Sequence, residues 1–443
     1  MTTPSNFDGP SWLASHVNLE SLNVPAGSRR GPPTLDRIST LMQYLGSPEL
    51  EFPAIHITGT NGKTTTVRVL TELLTGLGLK VGAYTSPHLE HVNERMSIDG
   101  EPITDDAFEE MLYAVSLVQD SIGVDPSYFD VVTAAAFRWF ADEAVDIAVV
   151  EVGMGGTWDA TNVVDGQVAV VTNVSVDHVD YLGPTREQIA TEKAGIIKPG
   201  ATLVLGETDP NIQAIFEARA DGRVFRRDVD FGVSRNVVAI GGRLVDLRSP
   251  GAEYPDVFLP LHGAHQADNA AIALAAAESL VRAPLPFEVV SDALARVKSP
   301  GRLEVVRRQP LVLLDGAHNV AGAEALRRAL DEEFSEGPRT LVVGLLREKD
   351  PREMLAALGV EEFADDEHAG LLVVCRPPSP RALETSFIVK AAIELGLPEN
   401  RIEVADRVED AVGTALLLTP ADGQIVITGS LYVVGAARSV LVS

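Results

Sequence analysis

The chain has 443 residues, more than a single hydrophobic core usually serves, so we expect two domains. Its formal net charge of −27 argues against binding to nucleic acid or anionic membranes, and an anionic ligand would need a local basic pocket. The single cysteine excludes an intramolecular disulfide, and the N-terminal part has no apolar signal core, so we predict a cytoplasmic protein.

The N-terminal region divides into a polar segment and a short helix. Residues 1–33 are rich in serine, proline and glycine, and we expect part of this segment to be loose. Apolar residues then recur at helical spacing through residues 35–45.

The most informative stretch is an apolar run followed by a glycine turn and a helical pattern. Residues 54–57 are typical of a buried strand, GTNG follows at residues 59–62, and Lys63 begins an amphipathic segment. In this layout, loop and helix-start N–H groups face phosphate oxygens, Lys63 supplies positive charge, and Thr64 or Thr65 can bind Mg²⁺. The general P-loop pattern is incomplete, because Ile57 occupies the place of its first glycine. The shorter form GTNGKT still predicts nucleotide binding.

Predicted strands and helices then alternate, which indicates a parallel sheet. Strands are predicted at 81–84, 147–151 and 168–173, with helices at 105–119 and 129–141. Ligands of such sheets bind at the carboxyl ends of the strands. Four residues lie at or just after predicted strand ends: Gly59, Ser86, Glu151 and His178. We expect these residues to converge, and a carboxylate with an imidazole there favours Mg²⁺ binding beside the phosphates.

The second half begins less regularly and then returns to alternation. Residues 224–261 are predicted to be irregular with short β segments, residues 267–280 form an apolar helix, and residues 297–302 are a hinge candidate. Five more strands are predicted at 311–314, 340–343, 371–374, 401–404 and 425–428. We therefore predict an α/β fold, with a P-loop-type parallel-sheet ATPase domain over 34–298 and a smaller Rossmann-like α/β domain over 299–443.

A series of motifs runs through the whole chain in a fixed order. It comprises GTNGK (59–63), TSPH (85–88), YFD (128–130), EVGMGG (151–156), DATN (159–162), DH (177–178), EKAGII (192–197), HQ (265–266), PGR (300–302) and DGAHN (315–319). With these motifs, the chain resembles the folylpolyglutamate synthase/dihydrofolate synthase family of the Mur ligase superfamily. The resemblance extends from about residue 35 to the C-terminus.

The resemblance implies an ATP-dependent ligase that forms an amide between a pterin or folate carboxylate and L-glutamate. The carboxylate attacks the γ-phosphate of ATP, and the amine of glutamate then displaces phosphate from the acyl phosphate, with two Mg²⁺ ions at the site. The first domain would be like the Mur ligase central domain, and the second would be the glutamate ligase domain. We expect a monomer, and whether the site also binds a monovalent cation is left open.

By resemblance, particular residues carry each part of this function. The catalytic set is Lys63, His178, Lys193 and His318, of which His318 would lie near the incoming glutamate. The residues that would contact ATP are Thr60, Asn61, Gly62, Lys63, Thr64, Thr65, Asn269, Arg302 and Asp315. The residues that would bind the two Mg²⁺ ions are Thr64, Ser86 and Glu151 for the first and His178 for the second. The residues that match the pterin pocket are Tyr128, Phe129, Asp130, Trp158, Asp159 and Ala160.

Two of these residues have strong alternative explanations. Lys193 matches the family lysine that is carbamylated by CO₂, although its spacing alone indicates only a charge at a helix C-terminus. Phe129 suits stacking on a flat heterocycle, and core packing explains it equally well.

Three departures from the family pattern bear on the acceptor, in the case of Thr157 and Asp130, and on the branch of the superfamily, in the case of Thr64. Thr157 occupies a position usually held by arginine, Thr64 follows the lysine where many relatives have glycine, and Asp130 replaces a more usual glutamate. One alternative is a Mur-type ligase with a non-folate acceptor, although the roughly fifty residues before the loop leave no room for a UDP-binding domain. Another is a non-catalytic nucleotide-binding paralogue, against which the predicted metal ligands argue. Dihydrofolate synthase, folylpolyglutamate synthase and a bifunctional enzyme are not separated.

Overall fold

The structure is a computed structural model that describes residues 7–18, 34–123, 125–334, 337–364 and 370–442. The described chain separates into two compact units. The first takes in the described residues up to Ala239, together with Arg243–Pro260 and Gln266–Val297. The second takes in Ile240–Gly242, Leu261–His265 and the described residues from Lys298 onward.

The first unit is built on an eight-stranded sheet with the order β4-β3-β2-β5-β1-β6-β7-β8. Its strands are β1 (Ala54–Thr58), β2 (Val81–Tyr84), β3 (Met96–Ile98), β4 (Glu101–Pro102), β5 (Ile147–Glu151), β6 (Gly166–Val171), β7 (Thr202–Leu205) and β8 (Val224–Arg226). The six neighbouring strands β2, β5, β1, β6, β7 and β8 are parallel to one another. Beyond β2, strands β3 and β4 extend the edge of the sheet in antiparallel pairs. Strands β1, β2 and β5 are buried along their whole length, which explains their continuous apolar sequence.

The order of the central strands brings the predicted site residues to one edge. Strand β5 lies between β2 and β1, and β6 lies on the other side of β1. In the register, Ile57 is opposite Glu151, and Tyr84 is opposite Val150. The carboxyl ends of these four strands therefore point the same way and end at similar heights. The predicted convergence of the strand ends is confirmed.

Residues 224–261 are more regular than predicted. After β8, they form a three-stranded antiparallel sheet of β9 (Gly232–Ala239), β10 (Gly242–Arg248) and β11 (Glu253–Leu259). Arg243, Val245 and Leu247 alternate as the buried positions of β10, so its pattern has the period of a strand. The inward arginine, which donates to Asn236 Oδ1 at 2.5 Å, disguised this alternation in the sequence.

Ten α-helices precede the second unit's sheet within the described residues. They are α1 (Gly9–Ala14), α2 (Asp36–Tyr44), α3 (Lys63–Gly76), α4 (Asp105–Ile122), α5 (Tyr128–Asp142), α6 (Val179–Leu182), α7 (Arg186–Lys193), α8 (Pro210–Glu217), α9 (His265–Val281) and α10 (Phe287–Arg296). Local signals set several of their ends. Helix α4 starts where Thr104 Oγ1 accepts from Ala107 N–H and stops at Gly123, whose φ is +61°.

The N-terminal segment contains a helix that the sequence analysis did not foresee. Helix α1 begins after Asp8, whose Oδ1 accepts from Ser11 N–H at 3.0 Å, and Leu13 is buried. Phe7 packs edge-on against Tyr113, with ring centroids 5.2 Å apart. Residues 7–18 are therefore an ordered part of this segment, and the remainder, 1–6 and 19–33, lies outside the described residues.

The second unit is a six-stranded sheet with the order β12-β13-β17-β14-β15-β16. Its strands are β12 (Glu304–Arg308), β13 (Leu311–Leu314), β14 (Arg339–Val343), β15 (Leu371–Cys375), β16 (Ile402–Ala405) and β17 (Gln424–Thr428). Its helices are α11 (Val320–Glu333), α12 (Pro351–Ala357), α13 (Thr385–Glu394), α14 (Val408–Leu418) and α15 (Leu431–Leu441). Five strands are parallel and β12 is an antiparallel edge strand. The predicted α/β class, with a separate C-terminal sheet, is confirmed.

Two further observations concern the surface and the single cysteine. None of the helices among the described residues is long and apolar enough to cross a membrane.

Cys375 at the end of β15 is fully buried, and burial raises the pKa of its thiol to about 12. The thiol is therefore part of the core, as its apolar sequence context predicts.

Candidate active site

The glycine turn after β1 is held in place by the end of β6. Thr60 N–H donates to Asn173 O at 2.9 Å, and Thr172 Oγ1 donates to Asn61 O at 2.7 Å. Asn173 contributes twice more, because its side chain donates to Asn61 O and accepts from Asn61 N–H. The loop is thus fixed before any ligand binds, which lowers the entropy cost of binding phosphate.

Gly62 shows why this loop requires glycine before the lysine. Its φ is +85°, and an added Cβ would lie 2.3 Å from Asn269 Oδ1. Asn269 comes from α9, where its Nδ2 donates to Gln266 Oε1 at 2.9 Å. The residue predicted to contact adenine therefore lies directly against the phosphate loop.

This contact predicts a specific effect of Gly62→Ala. We expect the affinity for a non-hydrolysable ATP analogue to fall about tenfold or more, because strain and the Asn269 contact both distort the loop. Gly78→Ala is the matched control, since Gly78 has a φ of +84° and nothing within 4 Å of an added Cβ. The control should unfold at a lower temperature and bind the analogue normally. Equal losses of affinity in both variants would show that the Asn269 contact is irrelevant.

Two lysines meet at the carbonyl of Gly59. Lys63 Nζ donates to Gly59 O at 3.0 Å and to Thr60 O at 3.2 Å, and Lys193 Nζ donates to Gly59 O at 2.9 Å. Lys193 is 4% exposed, and burial, with a smaller contribution from the charge of Lys63, lowers its pKa to about 7. Asp177, Asp159 and Glu192 oppose this shift. Lys193 is thus a buried amine beside the phosphate loop, whereas its spacing alone indicated a surface charge.

The residues predicted for the first metal ion lie at neighbouring strand ends. Thr64 Oγ1 donates to both oxygens of Glu151, at 3.1 and 3.0 Å, and Glu151 is 1% exposed. Ser86, two residues after β2, has a buried Oγ without a hydrogen-bond partner among the described residues. Of the two threonines left open by the sequence, Thr64 contacts the carboxylate and Thr65 is buried at 2% exposure.

This set of atoms suits a hard cation. A carboxylate and two hydroxyl oxygens are ligands that Mg²⁺ accepts, and it takes its remaining ligands from phosphate and water. An unpaired, buried hydroxyl such as that of Ser86 is costly unless something binds it. The described residues contain no group of three or more His, Cys, Asp or Glu side chains placed to hold a metal ion. The oxygen atoms at these strand ends are ligands that suit a hard divalent cation such as Mg²⁺.

His178 lies beyond β6 on a short, exposed turn. Its φ is +51°, its side chain is 38% exposed, and its backbone N–H donates to Asp177 Oδ1 at 2.8 Å. Its Nε2 lies 4.0 Å from Asp177 Oδ2. The predicted ligand of the second metal ion is therefore accessible, whereas the adjoining carboxylate is buried.

The residues that match a pterin pocket fall into two packing environments. Tyr128 and Phe129 are half-buried against the same apolar cluster as Ala160, whereas Trp158 packs on the cluster beside α7. Phe129 and Asp159 meet at Gly153, where an added Cβ would lie 2.6 Å from Phe129 Cζ and 3.1 Å from Asp159 Oδ2. An aromatic edge and a carboxylate are thus close together.

Asp130 has a structural role that the sequence analysis missed. Its Oδ2 accepts from Ser127 N–H and from Ser127 Oγ, both at 2.8 Å, and Ser127 Oγ accepts from Asp130 N–H. This reciprocal pair is a capping box at the start of α5. The S-x-x-D pattern was visible in the sequence, but the resemblance directed attention to the substrate pocket.

Tyr128 is supported by a residue to which no role was assigned. Arg95 is 1% exposed, its guanidinium carbon lies 5.6 Å from the centroid of the Tyr128 ring, and its Nε donates to His88 Nδ1 at 2.9 Å. A buried arginine on an aromatic face is a strong contact. No local pattern in the sequence showed that Arg95 would be buried against Tyr128.

In the second unit, the predicted ligand-binding residues are close in space. Asp315 accepts from Leu303 N–H and Ala317 N–H, both at 2.9 Å. Burial raises its pKa, and the charge of Arg302 opposes the rise. Arg302 Nη1 lies 2.6 Å from where a Cβ on Gly316 would be, and His318 Nδ1 lies 2.8 Å from Gly316 O. The three side chains therefore surround one turn after β13.

Comparison with known proteins gives the same picture along the whole chain. The family model of the Mur ligase middle domain matches residues 57–277, and that of the Mur ligase, glutamate ligase domain, matches residues 301–431. A dihydrofolate synthase/folylpolyglutamate synthase from Mycobacterium tuberculosis is 43% identical, with 97% of this chain and 94% of the relative covered.

Two solved structures resemble the chain as a whole. Mycobacterium tuberculosis folylpolyglutamate synthase complexed with ADP aligns with a TM-score of 0.88 at 41% identity, covering 98% of this chain and 97% of that one. The bifunctional folylpolyglutamate synthase/dihydrofolate synthase of Yersinia pestis, complexed with AMPPNP and a Mn ion, aligns with a TM-score of 0.85 at 28% identity, covering 100% of both chains. The chain therefore belongs to the folylpolyglutamate synthase/dihydrofolate synthase family of the Mur ligase superfamily.

Proposed function

We propose that this chain joins L-glutamate to the carboxylate of dihydropteroate and to the γ-carboxylate of folates, in an ATP-dependent reaction through an acyl phosphate. The observation that carries the proposal is the grouping of Lys63, Glu151 and buried Lys193 around the loop after β1. The 43% identical relative, whose name includes both activities, supports it. A protein that only binds nucleotide does not need a buried amine and a buried carboxylate at its phosphate loop.

The reaction has two displacement steps. An oxygen of the acceptor carboxylate attacks the γ-phosphorus of ATP, and the bond to ADP breaks. The amine of glutamate then attacks the acyl carbon, loses a proton, and displaces inorganic phosphate to form the amide. Lys63, with the backbone N–H groups at the start of α3, stabilises negative charge on the transferred phosphoryl group. We place Asn269 at the adenine, Arg302 and Asp315 at the phosphate and ribose, and His318 near the glutamate.

Thr64, Ser86 and Glu151 would hold one Mg²⁺ ion, and His178 would contribute to a second. When bound, such ions withdraw charge from the phosphoryl oxygens and help to align the attacking and leaving groups. The manganese ion in the Yersinia pestis structure supports a divalent metal in this family. In this chain, Thr64 and Glu151 are already in contact, so the protein holds these two ligands in place by itself.

Lys193 has the properties that carbamylation requires. An amine adds to CO₂ only when it is neutral, and burial lowers the pKa of Lys193 to about 7. The product is an anion, which would relieve the repulsion between Lys193 and Lys63. We propose that Lys193 functions as its carbamate and adds an anionic oxygen beside the metal ligands.

The acceptor is proposed to bind at Phe129 and Asp159, with Tyr128, Asp130, Trp158 and Ala160 around them. Thr157, which stands where the family usually has arginine, is exposed, and its Oγ1 donates to Glu192 O at 3.1 Å. The chain thus lacks a cation at that position, which bears on the acceptor and not on the ATP chemistry. We assign residues 34–298 to ATP and acceptor binding and residues 299–443 to the glutamate ligase domain. A monomer in the cytoplasm completes the proposal.

The experiment that tests this proposal is acceptor-dependent phosphate release. The purified chain is given ATP, Mg²⁺ and L-glutamate with dihydropteroate, with tetrahydrofolate, or with no acceptor. We expect turnover with both acceptors and almost none without them, and omission of glutamate should abolish amide formation. If the chain binds ATP but shows no turnover with either acceptor, the folate assignment is contradicted.

A further inference from the structure

A histidine lies in the middle of β1, one of the fully buried strands of the first unit. His56 on β1 is 0% exposed and has Ile55 and Ile57 as its neighbours in sequence. Burial, with a smaller contribution from the charge of Lys198, lowers its pKa to about 3, so the imidazole is neutral. A polar side chain is costly at such a position unless it makes a specific hydrogen bond.

His56 is the first member of a buried chain of hydrogen bonds that ends at the proposed acceptor site. Its Nε2 lies 2.9 Å from Thr161 Oγ1, and Thr161 Oγ1 donates to Asp159 Oδ1 at 2.5 Å. Thr161 N–H also donates to Oδ1 at 3.0 Å, and Met154 N–H donates to Asp159 Oδ2 at 2.8 Å. Thr161 is 0% and Asp159 is 3% exposed, so the carboxylate depends on protein donors.

The direction of these hydrogen bonds follows from the number of protons. Thr161 has one hydroxyl proton, which it gives to the carboxylate, so its oxygen accepts the Nε2–H of His56. Nδ1 of His56 then carries only a lone pair, and it has no hydrogen-bond partner among the described residues. If Asp159 became protonated and donated to Thr161, the hydroxyl proton would turn toward Nε2. His56 would then carry its proton on Nδ1 as a buried, unpaired N–H, which is more costly than an unpaired lone pair.

Several other charges act on these two groups. Burial is the main cause that raises the pKa of Asp159, to about 6. The charge of Asp130 on α5 makes a smaller contribution in the same direction. Lys193 at the end of α7 interacts with Asp159 by charge, since Asp159 opposes the lowered pKa of this lysine. Lys198 acts on His56 and donates from Nζ to Asn162 O at 2.8 Å. Asp159 is therefore mainly ionised at neutral pH and becomes neutral as the pH falls through about 6.

We propose that His56 and Thr161 are positioning residues that keep Asp159 ionised and oriented toward the acceptor, and that they set the pH range of acceptor binding. Asp159 Oδ2 accepts one backbone N–H and lies beside Phe129 at Gly153, so it faces the proposed acceptor site. The acceptor group it recognises is an N–H donor of a flat heterocycle. This inference rests on the proposed function for the identity of that ligand.

The first test is the pH dependence of kcat/KM for dihydropteroate. In the wild type, acceptor binding should weaken as the pH falls through about 6, because Asp159 becomes protonated. Protonation of Lys193 lowers activity in the wild type and the variants alike, so the shift between their pH profiles is the quantity that reports on Asp159. His56→Leu removes the donor to Thr161, which raises the pKa of Asp159 and moves this loss upward by about one pH unit. The KM for ATP should stay constant. An unchanged pH profile, or an equal change in both KM values, would overturn the proposal.

Further variants separate positioning from simple structural support. His56→Gln retains an N–H donor near Nε2 and should restore part of the profile. Thr161→Val should shift the profile at least as far as His56→Leu, whereas Thr161→Ser keeps the hydroxyl and should not. The double variant His56→Leu/Thr161→Val should match Thr161→Val alone, because His56 acts through Thr161. Additive shifts would contradict this pathway. If His56→Leu does not fold, the Thr161 pair decides the question.

The tautomer of His56 gives a test that does not depend on turnover. Nitrogen-15 spectra of histidine-labelled protein, assigned with His56→Gln, should show the Nε2–H tautomer at neutral pH. An Nδ1–H tautomer would overturn the inference. Nε2–H in a chain without pterin-dependent turnover would contradict the proposed function and leave the hydrogen-bond chain standing, so the two failures are distinguishable.

Discussion

Lys63→Ala is expected to lose ATP turnover by about 10³-fold or more, because the variant lacks the charge that stabilises the transferred phosphoryl group. The fold should remain, since Lys63 is only half-buried and contacts two carbonyls of its own loop. We expect a loss of about 1 kcal/mol or less in the free energy of unfolding. Phosphate release and thermal unfolding, measured on the same preparation, check both statements.

Lys390→Ala is the control for this variant. The Lys390 side chain is 75% exposed on α13 and lies 3.7 Å from Glu394, one helical turn away. The substitution therefore removes the same charge as Lys63→Ala, but from a site without phosphate. Turnover in this variant should equal that of the wild type. Full turnover by Lys63→Ala would show that the loop after β1 is not the phosphate site.

Lys193→Ala is expected to be inactive and to regain part of its activity with formate or acetate. The truncated side chain leaves space beside Gly59, and a small carboxylate can supply the anionic oxygens that a carbamate provides. Lys193→Met is the matched comparison, because methionine also lacks the amine but fills the space. We expect it to be inactive and not to be rescued. Activity of Lys193→Ala without any added acid would show that no carbamate is needed.

The same lysine gives the wild type a dependence on CO₂. Above about pH 7 the buried amine is largely neutral and can add to CO₂, and below it the amine is protonated and cannot. Enzyme depleted of CO₂ should therefore recover activity with bicarbonate at pH 8 more completely than at pH 6. Equal recovery at the two pH values would contradict the carbamate.

The general architecture could be predicted from the sequence because its signals are local. Buried parallel strands are continuous apolar runs, and the glycine turn with Lys63 marks the first crossover to a helix. No local pattern in the sequence indicated that the central strands lie in the order β2-β5-β1-β6. The ligand site could still be predicted, because ligands bind at the carboxyl ends of parallel strands whatever the order of the strands. The sheet β9–β11 was described too loosely, because the inward Arg243 breaks an otherwise apolar face.

Site residues could be predicted where the chemistry of the side chain indicates its function, as for a carboxylate at a metal site. Packing contacts between distant parts of the sequence could not be predicted in this way. Thr64 and Glu151, both expected at the metal, do contact each other across 87 positions of sequence. No local pattern showed that Thr172 would hold the loop, or that Lys193 would be buried against Gly59. Asp130 has a further role that the resemblance did not indicate, since its side chain forms the capping box of α5.

The most direct test of the acyl phosphate is the fate of the acceptor's carboxylate oxygens. Dihydropteroate labelled with oxygen-18 in its carboxylate is converted with ATP, Mg²⁺ and L-glutamate, and the released phosphate is analysed by mass spectrometry. The proposed reaction predicts one labelled oxygen in each phosphate for every amide formed, because the attacking carboxylate oxygen leaves with the phosphoryl group. Phosphate without label, formed together with the amide, would contradict activation of the acceptor by phosphoryl transfer.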